Sequence, residues 1–410
     1  MKKFFSLWTC LFLFSSLSLF SQKLFSQEVS LQSFEDVMDK VSSMTIEEKA
    51  YQVMMVGIPF KENPTAYIKK EFQQGIPASV LLFKKNLQST PLKTKEYIDE
   101  LHESFASISN EKKLTHIAPL IAIDNEGGQV FRTANLTTAL PSAEKIASSI
   151  QEPEKAEELY FLVAQQMKML GINFNLAPVV ECSTPENKLF LNTRTFSSDV
   201  DITVSYANAF IKGMSRAGVL TSLKHLPGHG AGDTHKDSFT LSCTKEEFEE
   251  FYLAPFKKIL EAKHPAISIL LSHTSFPIVE DIPFSISKKG ITSIVRKKLG
   301  FASLLLSDDI AMAALTKRGS VSDNAIRALQ AGIDMIVLSG QRVQEVAKAI
   351  TKKAKNDESF RLRLDEATCR VLQLKHTLQN MDEKNKLKFD NELFYELKQK
   401  GDAIIRSFCE

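Results

Sequence analysis

The sequence predicts an α/β fold, a single (β/α)8 TIM-type barrel with a helical C-terminal extension. Three observations predict it. Short apolar runs recur at intervals of about 30 to 50 residues, each followed by a Gly, Pro or polar break and then a helix-period stretch. Several runs are apolar on both faces, such as Val80-Leu81-Leu82-Phe83, Ile269-Leu270-Leu271 and Leu304-Leu305-Leu306, as parallel strands covered by helices should be. The 410 residues, 43% hydrophobic and 24% charged, suit one large globular domain and exclude disorder, collagen and coiled coil.

The eight runs are Tyr51–Ile58, Ala78–Phe83, Pro119–Asp124, Asn173–Val180, Val219–Leu226, Ile267–Thr274, Ser303–Asp309 and Asp334–Leu338. Between them, Pro153–Leu170, Asp201–Ala217, Lys245–Ala262 and Ser322–Ala331 carry apolar residues at three and four spacing and read as helices. Gly171, Gly218, Gly300 and Gly332 stand where a left-handed helix stop is wanted before the next strand. Ahead of the barrel, Lys2-Lys3 and the apolar stretch Phe4–Phe20 form a secretory leader, with residues 1–27 removed on export. A retained N-terminal anchor is the alternative reading. The barrel domain is expected over residues 28–345. Residues 346–410, rich in lysine and helix formers, are expected to be helices packing on the barrel and a solvated tail.

Lys+Arg 51 against Asp+Glu 49 gives a net charge of +2. No basic field exists to hold nucleic acid, and the expected partner is a small, nearly neutral molecule acting on a monomer. Cys182, Cys243, Cys369 and Cys409 lack short ligand spacing and read mostly as small core residues.

Reactive groups of a parallel barrel collect at the carboxyl ends of its strands. Those ends carry Asp124-Asn125-Glu126, Glu181, Lys224-His225, Ser272-His273 and Ser307-Asp308-Asp309. The densest segment, Lys224-His225-Leu226-Pro227-Gly228-His229-Gly230-Ala231-Gly232-Asp233-Thr234-His235, is a glycine-rich loop bearing acid–base groups. Asp233 and His235, one residue apart, can form a carboxylate–imidazole pair that donates and recovers a proton near neutral pH. His229, between glycines, reads as a loop-structuring group. Arg132, beyond the Gly127-Gly128 turn, and Arg194 are guanidinium groups suited to bidentate recognition of sugar hydroxyls.

In this order the motifs Ile123-Asp124-Asn125-Glu126-Gly127-Gly128 with Arg132, Leu176-Ala177-Pro178-Val179, Arg194-Thr195-Phe196, Lys224 to Gly230, Asp233-Thr234-His235, Ser307-Asp308-Asp309 and Ala331 to Met335 resemble glycoside hydrolase family 3, in its β-N-acetylglucosaminidase branch. The resemblance runs from Met44 to about Gly340. It implies that Asp308 is the nucleophile of a covalent glycosyl-enzyme and that His235, supported by Asp233, is the acid/base. It implies further that Asp124, Arg132, Arg194, Lys224 and His225 hold the N-acetylglucosamine ring, with no metal or organic cofactor. Asn125 and Gln129 depart from the family's glutamine and arginine. Glu181 stands where an aspartate is usual, and the Ala231-Gly232 spacer is short.

The expected activity is removal of terminal, non-reducing β-N-acetylglucosamine with retention, from peptidoglycan fragments or chitin-like oligosaccharides outside the cytoplasm, periplasmic or extracellular. A β-glucosidase of the same family is the first rival. A metal-dependent amidohydrolase using His225, His273 and Asp308 is the second, and a non-catalytic sugar-binding lipoprotein the third. Should His235 only order its loop, Glu126 and Glu181 are the next proton donors to try.

Overall fold

Strands that are apolar on both faces can be stable only when each face is covered, one by helices and the other by a closed lumen. The computed structural model, which describes residues 31–59, 63–230, 232, 234, 236–262, 264, 267–340, 342–384 and 387–409, meets both needs. The leader expected at residues 1–27 lies outside the described residues.

Eight strands form the barrel: β1 Met54–Gly57, β2 Ser79–Leu82, β3 Leu120–Ile123, β4 Phe174–Asn175, β5 Leu220–Leu226, β6 Ile267–Leu271, β7 Leu305–Asp309 and β8 Met335–Leu338. Each pairs in parallel with its sequence neighbours, and β8 closes on β1 through Met54 opposite Ile336. Each falls inside one of the eight apolar runs.

The period-two alternation sorts side chains into two shells. Ile121, Ile123, Leu305 and Ile336 face the helical layer. Leu120, Ala122, Phe174, Leu220, Leu306 and Met335 fill the lumen. Val371, Leu374 and Leu378 of the helix Glu358–Lys384 join that inner cluster and close the lumen at the amino end of the strands. Each fully buried side chain of this size contributes about 1.5–3 kcal/mol. The same helix is fastened by charge: buried Asp334, at the start of β8, meets Arg296 at 2.7 Å, Arg363 at 2.6 Å and Arg370 at 3.1 Å. Asp334 therefore belongs to the closed end of the barrel, away from the mouth.

The helices start and stop where their chemistry dictates. Pro153–Met169, Val200–Arg216 and Val321–Ala331 are continuous, the last two capped by Asp199 and Ser320. The stretch from Lys245 is composite, with a π-helical turn at Phe248–Tyr252 before Ala254–Glu261. Gly171, Gly218, Gly300 and Gly332 have φ of 92°, 77°, 66° and 125°, the left-handed stops expected of them. The segment expected to be a solvated tail is instead the helix Asn391–Cys409, with Phe394 and Leu397 buried in the outer core. Exposed Glu392, Glu396, Gln399 and Lys400 interrupt its apolar positions in the sequence. No described helix is long and apolar enough to cross a membrane.

Candidate active site

The inward phase of the strands decides which polar groups reach the mouth. Asp124 follows Leu120 and Ala122, Lys224 follows Leu220 and Ser222, and Asp308 follows Leu304 and Leu306, all on the lumen side of their strands. Apolar layers below thus carry a polar layer on top.

Lys224, 3% exposed, anchors that layer. Its Nζ lies 3.0 Å from Asp124 Oδ1 and 2.6 Å from Glu126 Oε1. Arg194 closes on the other side of Glu126 with two parallel bonds, Nε to Oε2 at 2.8 Å and Nη2 to Oε1 at 2.9 Å. Arg132 stands 4.0 Å from Asp124. Arg132, Asp124, Lys224, Glu126 and Arg194 therefore form one alternating chain of charge. Burial disfavours the Glu126 carboxylate, but Lys224 and Arg194 outweigh it and bring its pKa down to about 2.

Arg132 is placed by a hairpin, Asn125–Gly127 against Val130–Phe131. Gly127 and Gly128 turn it with φ of 111° and 57°, and a Cβ on Gly127 would sit 2.3 Å from the Pro141 carbonyl oxygen. Fully buried Asn125 is its post: Oδ1 accepts from Arg132 N at 2.8 Å and Nδ2 donates to Thr133 Oγ1 at 2.7 Å. Asn125 and Asn175, across β3 and β4, exchange two further bonds at 3.0 Å.

The chain beyond β4 continues beside β5, with Ser222 N donating to Ala177 O, Lys224 N to Pro178 O and Val180 N to Lys224 O. That pairing delivers Glu181 to His225. Glu181 Oε1 accepts from His225 Nδ1 at 2.7 Å and His229 Nδ1 at 3.1 Å, and the backbone N–H groups of both histidines also donate to this carboxylate. The two imidazole rings meet edge to face at 4.4 Å, and Phe190 flanks His229 at 5.3 Å. Burial, then the neighbouring His229, drives the His225 pKa down to about 4. Glu181 is buried too, yet its histidine partners hold it well below the usual carboxylate range. Glu181, His225 and His229 also bring one potential metal-ligand atom each within 4.8 Å of one another. The carboxylate itself takes four N–H donors from the two histidine residues.

Both alternative proton donors are thereby corrected. Glu126 and Glu181 are ionised and fully engaged, so neither has a proton to give at neutral pH. His273 is likewise committed. Its Nε2–H donates to the Asp309 carbonyl at 3.0 Å, which leaves Nδ1 to accept from Ser285 Oγ at 2.6 Å. Both ring nitrogens are thus occupied, which removes His273 from the ligand set of the amidohydrolase rival.

The adjacent carboxyls on β7 are pushed apart. Burial opposes ionisation of Asp308, but His273, His225 and His229 around it lower its pKa. Asp309, on the opposite strand face, is raised by burial. Asp309 N–H donates to Asp308 Oδ1 at 2.8 Å, fixing the carboxylate plane.

Asp233 and His235 lie outside the described residues, as does Ala231. The residues between them are described. A Cβ on Gly232 would overlap the Phe239 ring, and buried Thr234 accepts from Ala314 N at 3.3 Å. Of the residues singled out in the sequence, the structure thus links Asp124, Arg132, Arg194 and Lys224 in one network and sets His225 beside Asp308. Sequence reasoning left out Asn125 as a post and Glu126 as the tie between two cations. Their only signal was position directly after an apolar strand.

A closed parallel barrel whose mouth joins carboxylates, guanidinium groups and imidazoles over a sealed lumen suits recognition of a polyhydroxylated ligand, and the comparisons with known proteins identify it as a glycoside hydrolase. Residues 45–374 match the glycosyl hydrolase family 3 N-terminal domain, and the chain belongs to that family. It is 32% identical over 295 residues to a beta-hexosaminidase of Xylella fastidiosa strain M23, covering 69% of this chain and 83% of that protein. A beta-hexosaminidase of Hydrogenovibrio crunogenus is 29% identical over 295 residues, covering 69% and 78%. The solved glycoside hydrolase family 3 beta-N-acetylglucosaminidase of Paenibacillus sp. str. FPU-7 superposes with a TM-score of 0.72 at 25% identity, over 83% of this chain and 64% of that one.

Proposed function

We propose that this glycoside hydrolase removes terminal, non-reducing β-N-acetylglucosamine with retention of configuration. The observation that carries the reading is Asp308, a lumen-facing carboxylate at the end of β7, held ionised among three histidines and next to the Asp124–Lys224–Glu126–Arg194 network. In the first step Asp308 attacks the anomeric carbon while His235 gives its proton to the departing oxygen, leaving a glycosyl-aspartate and a neutral alcohol. In the second step His235, now neutral, takes a proton from water, whose oxygen displaces Asp308. Asp233 supports the imidazolium in between. Asp124 and Lys224 meet the sugar hydroxyls, and Arg132, Arg194 and His225 complete the ring's subsite.

The leader sequence supports an exported enzyme, periplasmic or extracellular, acting as a monomer on peptidoglycan fragments or chitin-like oligosaccharides. Residues 28–345 are its catalytic barrel domain, and residues 346–410 are C-terminal helices packing on the barrel and a tail.

Asp308→Asn keeps the shape and removes the nucleophile. Turnover of an aryl N-acetylglucosaminide should fall by several orders of magnitude with little change in binding. A 2-fluoro sugar should label Asp308 in the wild-type protein by mass spectrometry; label on Asp309 would refute the assignment. Faster cleavage of the aryl glucoside than of the N-acetylglucosaminide would favour the β-glucosidase reading, and a phosphate-dependent rate would identify the second-step acceptor.

A further inference from the structure

Glu181 lies next to the nucleophile and touches two imidazoles, yet the proposed reaction gives it no step. Its surroundings are unusual for a buried carboxylate. All four of its close donors are N–H groups of two residues, His225 and His229, and the shortest side-chain bond is 2.7 Å to His225 Nδ1. Because an ionised carboxylate can only accept, each ring must place its proton on Nδ1. Neither ring's Nε2 has a hydrogen-bond partner among the described residues. His273, on the next strand, has the opposite tautomer, with Nε2–H committed to a backbone carbonyl. Around Asp308 the protein therefore sets three imidazoles by two different means.

The same carboxylate also controls the backbone. Glu181 Oε2 accepts from His229 N–H, and Ser272 Oγ donates to Gly228 O at 3.1 Å. These bonds secure both ends of the Gly228–His229 turn, from which the segment bearing Asp233 and His235 departs.

We propose that Glu181 is the positioning residue of this site: by accepting from both Nδ1–H groups and from the His229 backbone, it presents two bare Nε2 acceptors to the sugar and fixes the root of the acid/base loop. The proposal rests on the N-acetylglucosaminidase reading for its effect on turnover, but its tautomer assignment stands apart from any substrate. Glutamine is the discriminating replacement. Its amide has the same shape with only one oxygen, so the NH2 group must face either the two ring Nδ1–H groups or the His229 backbone N–H.

The test is long-range 1H–15N correlation of the imidazoles in the full chain at neutral pH, with wild type and Glu181→Gln compared. In wild type, His225 should show the neutral Nδ1–H pattern and His229 should carry a proton on Nδ1, and a neutral Nε2–H pattern in either ring overturns the proposal. In Glu181→Gln either both rings should leave the Nδ1–H pattern or the His229 backbone amide signal should move from its wild-type position, and kcat/KM on an aryl N-acetylglucosaminide should fall about 10- to 100-fold. Unchanged tautomers with unchanged turnover overturn it as well. Should the variant fail to fold, the wild-type spectrum still decides. An expected spectrum in a protein that cleaves only glucosides would refute the substrate reading and leave the role of Glu181 intact.

Discussion

Lys224 touches two carboxylates and Glu126 two cations, so at residue scale the site is a row of charges in which each neighbour sets the next. A buried row of this kind is costly to interrupt, because the partner left behind keeps its charge without compensation. Glu126→Gln should therefore destabilise the protein by about 3 kcal/mol at pH 7 in urea unfolding. The pH dependence has a definite sign. The folded-state pKa of Glu126, about 2, lies below its ordinary 4.5, so its contribution is full above about pH 4.5 and is lost as pH falls towards 2. The gap between wild type and variant should close over that window; a gap constant from pH 7 to 3 would show that Glu126 is not the titrating group. For Asp233 and His235, proposed as the acid/base pair, the readout is leaving-group dependence. His235→Ala should harm disaccharides far more than activated aryl glycosides, with Asp233→Asn weaker in the same direction. Equal losses across leaving groups would make His235 a loop residue. The sequence displayed Asp124, Lys224 and Asp308 because each ends an apolar strand, whereas the engagement of Glu126 and Glu181 could not be read there. Their partners are 68 to 98 residues away for Glu126 and 44 to 48 for Glu181, and only strand pairing brings them together.

At the scale of elements, β3 does its work through the hairpin after it. Asn125 holds Arg132 and Thr133 by backbone and side chain, and its replacement by alanine leaves those buried donors unpaired. With Arg132 proposed to bind rather than react, Asn125→Ala should raise KM several-fold with a smaller effect on kcat, and should cost about 2 kcal/mol of stability. A fall in kcat alone would put the hairpin in the chemistry instead. The barrel strands were legible because burial on both faces leaves an uninterrupted apolar run that no polar alternation confuses. The helix Asn391–Cys409 was not, since charged and amide residues interrupt its apolar positions and Gly401 breaks the run. Leu393, Phe394 and Leu397, then Ile404, Ile405 and Phe408, supply the three and four spacing that marks it.

For the whole molecule, the helix Glu358–Lys384 is both lid and ballast. It brings Lys375 fully into the closed end, where Nζ meets Gln52 Oε1 at 3.3 Å and the Ala118 carbonyl at 3.0 Å, and burial drives its pKa down to about 7. A lysine whose folded pKa lies below its unfolded value penalises the fold fully below that pKa, and the penalty fades as pH climbs towards 10.5. Lys375→Met should therefore stabilise the protein by about 2 kcal/mol at pH 6, with the gain shrinking by pH 9 in thermal unfolding. Destabilisation at pH 6 would mean that the two hydrogen bonds outweigh the buried charge. The same helix settles which face is open. With the lumen packed by Leu120, Phe174, Leu220, Leu306 and Met335 and floored by Val371, Leu374 and Leu378, the barrel offers no through-passage among the described residues, so any ligand held by the polar layer arrives and leaves across one face, and each arrival waits on a departure.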